Sequence, residues 1–374
     1  MKERNYGLDL YRILCMFLIT TIHIFGYSNI TEAVPYTHLN FYFINFIKVL
    51  QTFSISGFVL ISAYFLVSDK ISVKTSVKKI VSFELLTLFY SILILLLSLI
   101  FITTNVSKMN LLKSFFPTIT NHYWYPVNYI FLLVVSPFLN KFVYALSKKQ
   151  LKAIVLIIFV GFAFLTINPF FDADVYVGHY SHGFIWFICL YFIAAYIKLY
   201  GITIKNKFVF IAFAISGIVM FALYLYRNNI FNLREEYKFI YDIIQKLELL
   251  SYNSILPLIF TISSFVLFSR IKFKIPQKGV KIWNYIVSSA YVVYLIQEHN
   301  VVRDSLWSFV NIKSWATSPY LIFITIAVFM VLLAIAMILH LCFCGANKLY
   351  LNKLGKAKEN LFVKILDKPF FQND

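Results

Sequence analysis

Apolar residues run through this chain in long blocks, and polar residues gather in the short stretches between them. Ten blocks stand out, at 8–27, 42–67, 81–103, 123–145, 152–168, 182–200, 208–226, 250–269, 283–301 and 318–345, the fifth being the shortest. A helix needs about 20 such residues to cross a hydrocarbon core of about 30 Å, and the blocks fall in the range of about 17 to 25 or slightly above. Inside lipid only helices and closed barrels satisfy their backbone hydrogen bonds, and blocks of this length are on the helical scale. The pattern therefore predicts an all-α polytopic membrane protein of about ten transmembrane helices. The first block is too long for the apolar core of a signal peptide, and no small-residue cleavage site follows it, so it reads as a retained span. Residues 1–345 form one membrane domain in this reading, and 346–374 a short basic cytoplasmic tail.

Composition agrees with the pattern. Hydrophobic residues make up 60% of the chain and charged residues 13%, and the mean hydropathy is +0.78, which excludes an ordinary soluble domain. The formal net charge of +18 suggests nucleic acid until its placement is considered. With both termini taken as cytoplasmic, 24 of the 34 basic residues fall in inner segments and eight in outer loops. That asymmetry is the positive-inside signal of an even number of spans with both ends inside. The basic residues thus speak for topology and anionic membrane lipids, and no nucleic-acid partner is expected. Cys15, Cys189, Cys342 and Cys344 lie in spans or near the end of the last one, so no extracellular disulfide framework is implied.

A charged or titratable residue within a span is costly, and its default reading is functional. The first span carries Asp9, Arg12 and His23. Arg12 and His23 are eleven positions apart, and at about 100° per residue they share one helix face, about 16 Å from each other along the axis. Asp9 lies on the same face, with the plainer reading of an i,i+3 pair with Arg12 at a helix start. Such a stripe must face protein or water. Glu298 is 15 residues past Trp283, as His23 is 15 past Leu8. If both helices run outward, Glu298 is at similar depth and suited to orient or charge-balance His23 where the first and ninth spans touch.

Other polar residues have blander readings. Glu84, early in the third span, is expected to snorkel or to pair with Lys78 or Lys79. His299 adjoins the outer interface, where solvation competes with function. His122 with Trp124 and Tyr125 reads as part of an aromatic belt. His179 and His182, with Asp172 and Asp174 nearby, are of metal-ligand types, but an i,i+3 pair with no fixed Asp spacing makes no site, and no metal is expected. Ser54, Ser56 and Ser62 read as helix-packing residues rather than nucleophiles.

Four stretches, in order, carry a likeness: Leu8-Asp9-Leu10-Tyr11-Arg12 with His23; Ser54-Ile55-Ser56-Gly57 through Ser62-Ala63-Tyr64-Phe65-Leu66; Trp124-Tyr125-Pro126-Val127-Asn128-Tyr129 through Ser136-Pro137-Phe138-Leu139-Asn140; and Tyr294-Leu295-Ile296-Gln297-Glu298-His299 followed by Arg303 and Trp307. They resemble the acyltransferase family 3 membrane proteins, integral O-acyltransferases of bacterial surface glycans. The resemblance implies transfer of an acetyl or other short acyl group from cytoplasmic acyl-CoA, with acetyl-CoA as co-substrate. The acceptor would be a hydroxyl of a cell-surface polysaccharide or lipid-linked sugar outside the bacterial cytoplasmic membrane. His23 matches the family's essential His, as general base or transient acyl carrier, and Arg12 matches the Arg at the donor end. The family often has an Arg-rich stretch after the second span. Here Lys74, Lys78 and Lys79 stand in its place, able to neutralise CoA phosphates as point charges but without the bidentate fork. The chemistry agrees: O-acyl transfer needs a base for the acceptor hydroxyl, and His has a suitable unperturbed pKa. Two rival readings are a transporter or flippase for a lipid-linked glycan, with Arg12 and His23 as relay, and a glycan polymerase. Paired halves with broken helices, the mark of many transporters, are not evident. The largest outer loop spans only about 24 residues, its Arg227 and Arg234 balanced by Glu235, Glu236, Asp242 and Glu248.

Overall fold

Capping residues, more than hydropathy, decide where the helices begin. The structure, a computed structural model, describes residues 4–102, 106–167, 183–227 and 249–366. Among these residues there are thirteen α-helices and a short 3-10 helix, Ile312–Trp315, and no strand. The helices are α1 (Tyr6–Ser28), α2 (Ile30–Ala33), α3 (Leu39–Leu66), α4 (Val73–Phe101), α5 (Lys108–Phe115), α6 (Trp124–Ala145), α7 (Lys148–Ile167), α8 (Phe184–Tyr200), α9 (Asn206–Arg227), α10 (Ile255–Arg270), α11 (Gln277–Glu298), α12 (Arg303–Val310) and α13 (Leu321–Leu366).

Among the described residues seven helices are long and apolar enough to cross a membrane: α1, α3, α4, α6, α9, α11 and the Leu321–Gly345 part of α13. The apolar helices α8 and α10 are shorter, with 17 and 16 residues, and α7 covers the expected fifth block. Three boundaries differ from the sequence reading. Ser72 caps α4 by accepting from the Thr75 N–H at 3.2 Å, so Lys74, Lys78 and Lys79 lie within the first turns of the helix rather than in a loop before it. Lysine is a good helix former, and a hydropathy boundary need not be a helix boundary. α11 starts at Gln277, directly after Pro276, six residues before the expected Trp283. Past Gly345 the backbone of α13 stays helical to Leu366, through most of the segment read as a separate tail, which holds no proline before Pro369 to stop it.

The chain divides into two compact units, residues 1–65, 146–283 and 307–329, and residues 66–145, 284–306 and 330–374. In the first, α1 packs on α10, and α9 runs along α10 with Phe213 stacked on Phe260 at 4.2 Å. Tyr11 anchors α1. It is fully buried, its hydroxyl is 2.7 Å from Ser264 Oγ, and its ring lies 5.7 Å from Phe53 and 5.0 Å from Phe268. Gly57 makes this approach possible, since a Cβ there would come within 2.5 Å of the Tyr11 hydroxyl. The Ser-rich stretch of α3 does structural work: Trp186 donates its indole N–H to Ser56 Oγ at 3.0 Å, and Ser54 and Ser62 donate to carbonyls of their own helix.

In the second unit α4 packs on α6, with Phe83 edge-on to Tyr129 at 4.9 Å. Asn140 ties the end of α6 to 66–68, donating to the Leu66 carbonyl at 3.1 Å and accepting from the Ser68 N–H at 2.8 Å. The connection between α4 and α6 does not stay at the helix ends. Thr118 donates its hydroxyl to Glu84, 17 positions before the end of α4, so the segment folds back about 25 Å along that helix. Asn121, at φ 51, closes its turn, a left-handed conformation that Asn tolerates better than most residues. Glu84 is thus held by Thr118 and not by Lys78 or Lys79 as its position in the chain suggested; the folded-back segment, invisible to helix spacing, supplies the donor.

Candidate functional site

α1 carries the stripe. Asn5 caps it, its Oδ1 accepting from the Leu8 N–H at 3.1 Å, and the helix runs unbroken through Asp9, Arg12 and His23 to Ser28. His23 is half-buried among aromatic rings: Tyr27 lies 5.8 Å from it and Trp307 6.4 Å, centroid to centroid. Tyr27 and Trp307 are themselves stacked, 14° apart in plane at 6.1 Å. Trp307 is buried, and among the described residues no acceptor reaches its indole N–H. A buried donor left open costs about 1–3 kcal/mol, so an unfilled N–H beside a histidine is available to a ligand.

Arg12 is half-buried, with its guanidinium 6.0 Å from the ring centroid of Phe65. Among the described residues no hydrogen-bond acceptor or carboxylate reaches it. Asp9 does not pair with Arg12. It is buried and accepts from Arg4 Nε at 2.6 Å and from Trp283 Nε1 at 3.3 Å. The expected i,i+3 pair loses to a tighter ion pair with a residue just before the helix. Asp9 is therefore spent on anchoring the start of α1, and Arg12 is left open.

Arg4 also lines a cleft of about 420 Å³ with Lys272, Lys274, Tyr6 and Phe273. Three cations around an aromatic-walled opening suit an anionic ligand such as a phosphate. The charge pattern had assigned these residues to topology alone, and only the packing of α1 against the end of α10 brings them together. Lys74, Lys78 and Lys79 belong to the second unit, Lys78 exposed and the other two half-buried.

Glu298 and His299 also belong to the second unit. Glu298 is half-buried as the last residue of α11. His299, expected near solvent, is instead wholly buried. Its Nε2 lies 3.2 Å from the Ser91 carbonyl and 3.4 Å from Ser114 Oγ, and its Nδ1 accepts from the Val301 N–H at 3.3 Å. His122 stands 4.8 Å from it, ring to ring, and accepts from the Asn300 N–H at 3.4 Å. His122 is buried too, not an interface residue, and burial, with His299 beside it, pushes its pKa down to about 3. Both amide atoms of the fully buried Gln297 lack partners among the described residues. Sequence reading passed over Gln297 and, as a site residue, Trp307; apolar neighbours on every side mask a lone amide or indole. His179, His182, Asp172 and Asp174 lie outside the described residues. Among the described residues no three His, Cys, Asp or Glu side chains cluster as a metal site.

The family model described as an acyltransferase domain, Acyl_transf_3, matches residues 5–339. Neither a curated protein nor a solved structure matches the chain. The match begins at the residue that caps α1, takes in Arg12, His23 and Trp307, and ends within α13. Set on an all-helical frame with several helices of membrane-crossing length, it makes this chain a multi-pass membrane protein of the acyltransferase family 3.

Proposed function

We propose that the protein transfers an acetyl or other short acyl group from cytoplasmic acyl-CoA to a hydroxyl of an extracytoplasmic surface glycan. Its setting is the cytoplasmic membrane of a bacterium, with ten spans and both termini inside. The observation that carries this reading is the stripe on α1, an Arg with no acceptor among the described residues about 16 Å along the helix from a His set beside an open indole N–H. That separation is on the scale of the pantetheine arm that links the phosphates of CoA to its thioester.

In this reading the CoA phosphates enter at the end of α1 where Arg4, Lys272 and Lys274 meet, and Arg12 takes a phosphate or pantetheine oxygen further in. Lys74, Lys78 and Lys79 remain a second candidate set for the donor. Asp9 positions Arg4 through their ion pair. The acceptor O–H gives its proton to an imidazole nitrogen of His23 as its oxygen attacks the thioester carbonyl carbon. The tetrahedral intermediate collapses with cleavage of the C–S bond, and the leaving thiolate takes the proton back from His23. The Trp307 N–H is available to the developing oxyanion, the kind of preorganised donor that stabilises acyl-transfer transition states. Glu298, at the end of α11, remains a candidate site carboxylate.

The test is consumption of acetyl-CoA by the purified protein in the presence of surface glycan, followed as free thiol and as O-acetyl in the product. Thiol release that requires glycan supports transfer, whereas glycan transport without thioester loss would leave a flippase as the better account. A reporter fused after Asp374 should be cytoplasmic, and a cysteine placed at 173 should label from outside.

A further inference from the structure

A cavity of about 710 Å³ opens in the first unit beside the outer part of α1, within the usual span of about 300–1,000 Å³ for small-ligand sites. It touches the candidate site without being part of it. Gly26, one turn past His23, forms one wall, and a Cβ there would meet nothing within 4 Å.

Lys48 of α3 lines the cavity. It stands nine residues from the start of α3, about 14 Å into the helix, where an ammonium is costly unless it serves a function. Its Nζ donates to Thr31 Oγ1 at 2.8 Å, and among the described residues it has no carboxylate partner. A neutral hydroxyl uses one of three donors and cancels none of the charge. Gln51, one turn further along α3, lines the same cavity. It is buried, and its Nε2 donates to Thr21 Oγ1 at 2.9 Å, which fixes the amide in place. Phe25, Phe41 and Tyr224 supply apolar walls, and Asn29 and the exposed Glu32 stand at the lining where α1 ends. Charge inside, amides and a carboxylate nearby and aromatic walls are the chemistry of a sugar that carries an anionic group.

We infer that this cavity binds the acceptor, and that the acceptor is an anionic glycan whose carboxylate or phosphate pairs with Lys48. Its ring hydroxyls meet Gln51, Asn29 and Glu32, and the hydroxyl to be acylated points past Gly26 toward His23. The assignment rests on the acyl-transfer reading for its name as an acceptor site, but not for its binding chemistry.

The experiment is equilibrium dialysis with the full chain in detergent, with no acyl-CoA and no added phospholipid. The probes are digalacturonate, a glycerol phosphate oligomer and neutral lactose. At least one anionic probe should bind about tenfold or more tighter than lactose, and Lys48→Met should remove that advantage while Lys48→Arg keeps most of it. Gly26→Leu puts a side chain on the cavity wall with a better helix former and should weaken binding without loss of folded protein on gel filtration. Equal binding of lactose and the anionic probes would overturn the inference. So would unchanged binding by both Lys48→Met and Gly26→Leu, or a Lys48-dependent site that takes phosphatidylglycerol micelles and none of the sugars. If the anionic sugar binds through Lys48 yet acetyl-CoA is never consumed in its presence, the cavity stands and the transfer reading falls.

Discussion

His23 in the first unit and the His122–His299 pair in the second show two ways a membrane protein holds an imidazole. His23 is half-buried, its neighbours are aromatic faces, and one of them brings an indole N–H that nothing described fills. His122 and His299 are buried, and each accepts a backbone N–H from the turn that follows α11. The Val302 and Arg303 N–H groups, each at 2.8 Å, also end on the His299 carbonyl, so this residue starts α12 as well. An imidazole whose nitrogens serve the backbone is fixed and has little freedom to pass protons. In the proposed mechanism the difference separates a histidine that meets the substrate from histidines that hold a corner of the fold.

The sharpest way to break this comparison is to remove each in turn. His23→Ala should lower glycan acylation by about 10²–10⁴-fold, the usual worth of a general base, with protein level unchanged because an apolar side chain inserts more readily. His299→Ala should leave turnover per folded molecule near wild type and lower stability by about 1–3 kcal/mol, because it leaves the Val301 N–H without its acceptor. The reverse pattern in activity and in thermal midpoint would exchange the two roles. A smaller loss is expected for Arg12→Lys, about tenfold in kcat/KM from a lost charge-assisted bond of about 1.5 kcal/mol. Equal kinetics for the two proteins would remove the fork from the donor contact. Trp307→Phe keeps a ring for stacking on Tyr27 but deletes the N–H. About fivefold in kcat, or about 1 kcal/mol, should be lost, and a change in KM alone would argue for packing instead of oxyanion contact. The mildest effect is a pH slope. His122 takes a proton in the folded protein only near its lowered pKa of about 3, against 6.5 for the free group. The unfolded chain therefore binds the extra proton first, and stability falls as pH drops below 6.5 and is unaffected above it. His122→Asn should reduce the difference in thermal midpoint between pH 7.5 and pH 5.

Much of the helical frame is legible in the chain, because lipid forces every crossing segment to be long, apolar and internally hydrogen-bonded. Each of the ten apolar blocks coincides with a helix of the structure. The shared face of Arg12 and His23 follows from spacing along one unbroken helix. What pattern reading missed depends on contacts between segments far apart in sequence. Asp9 was expected beside Arg12 because the two are three apart, yet Arg4 and Trp283 claim it. His299 sits at the end of an apolar block, where solvent is the natural guess, and only the folded-back segment with Ser114 and His122 explains its burial. The Arg4, Lys272 and Lys274 cleft joins the first residues of the chain to a loop more than 250 positions later, a proximity no local rule provides.

The segment between α4 and α6 also bears on how the protein is made. Its two flanking helices enter the bilayer as ordinary apolar spans, but the segment carries Lys108, Lys113, Asn121 and His122 and has no apolar run of its own to insert. Its polar groups find partners on Glu84 and at the end of α11, and α11 is synthesised some 160 residues later. Thr118 can meet Glu84 as soon as both are made, but the contacts of Ser114 and His122 at the end of α11 must wait for that helix. This corner of the fold is therefore complete only once α11 has been added to the chain.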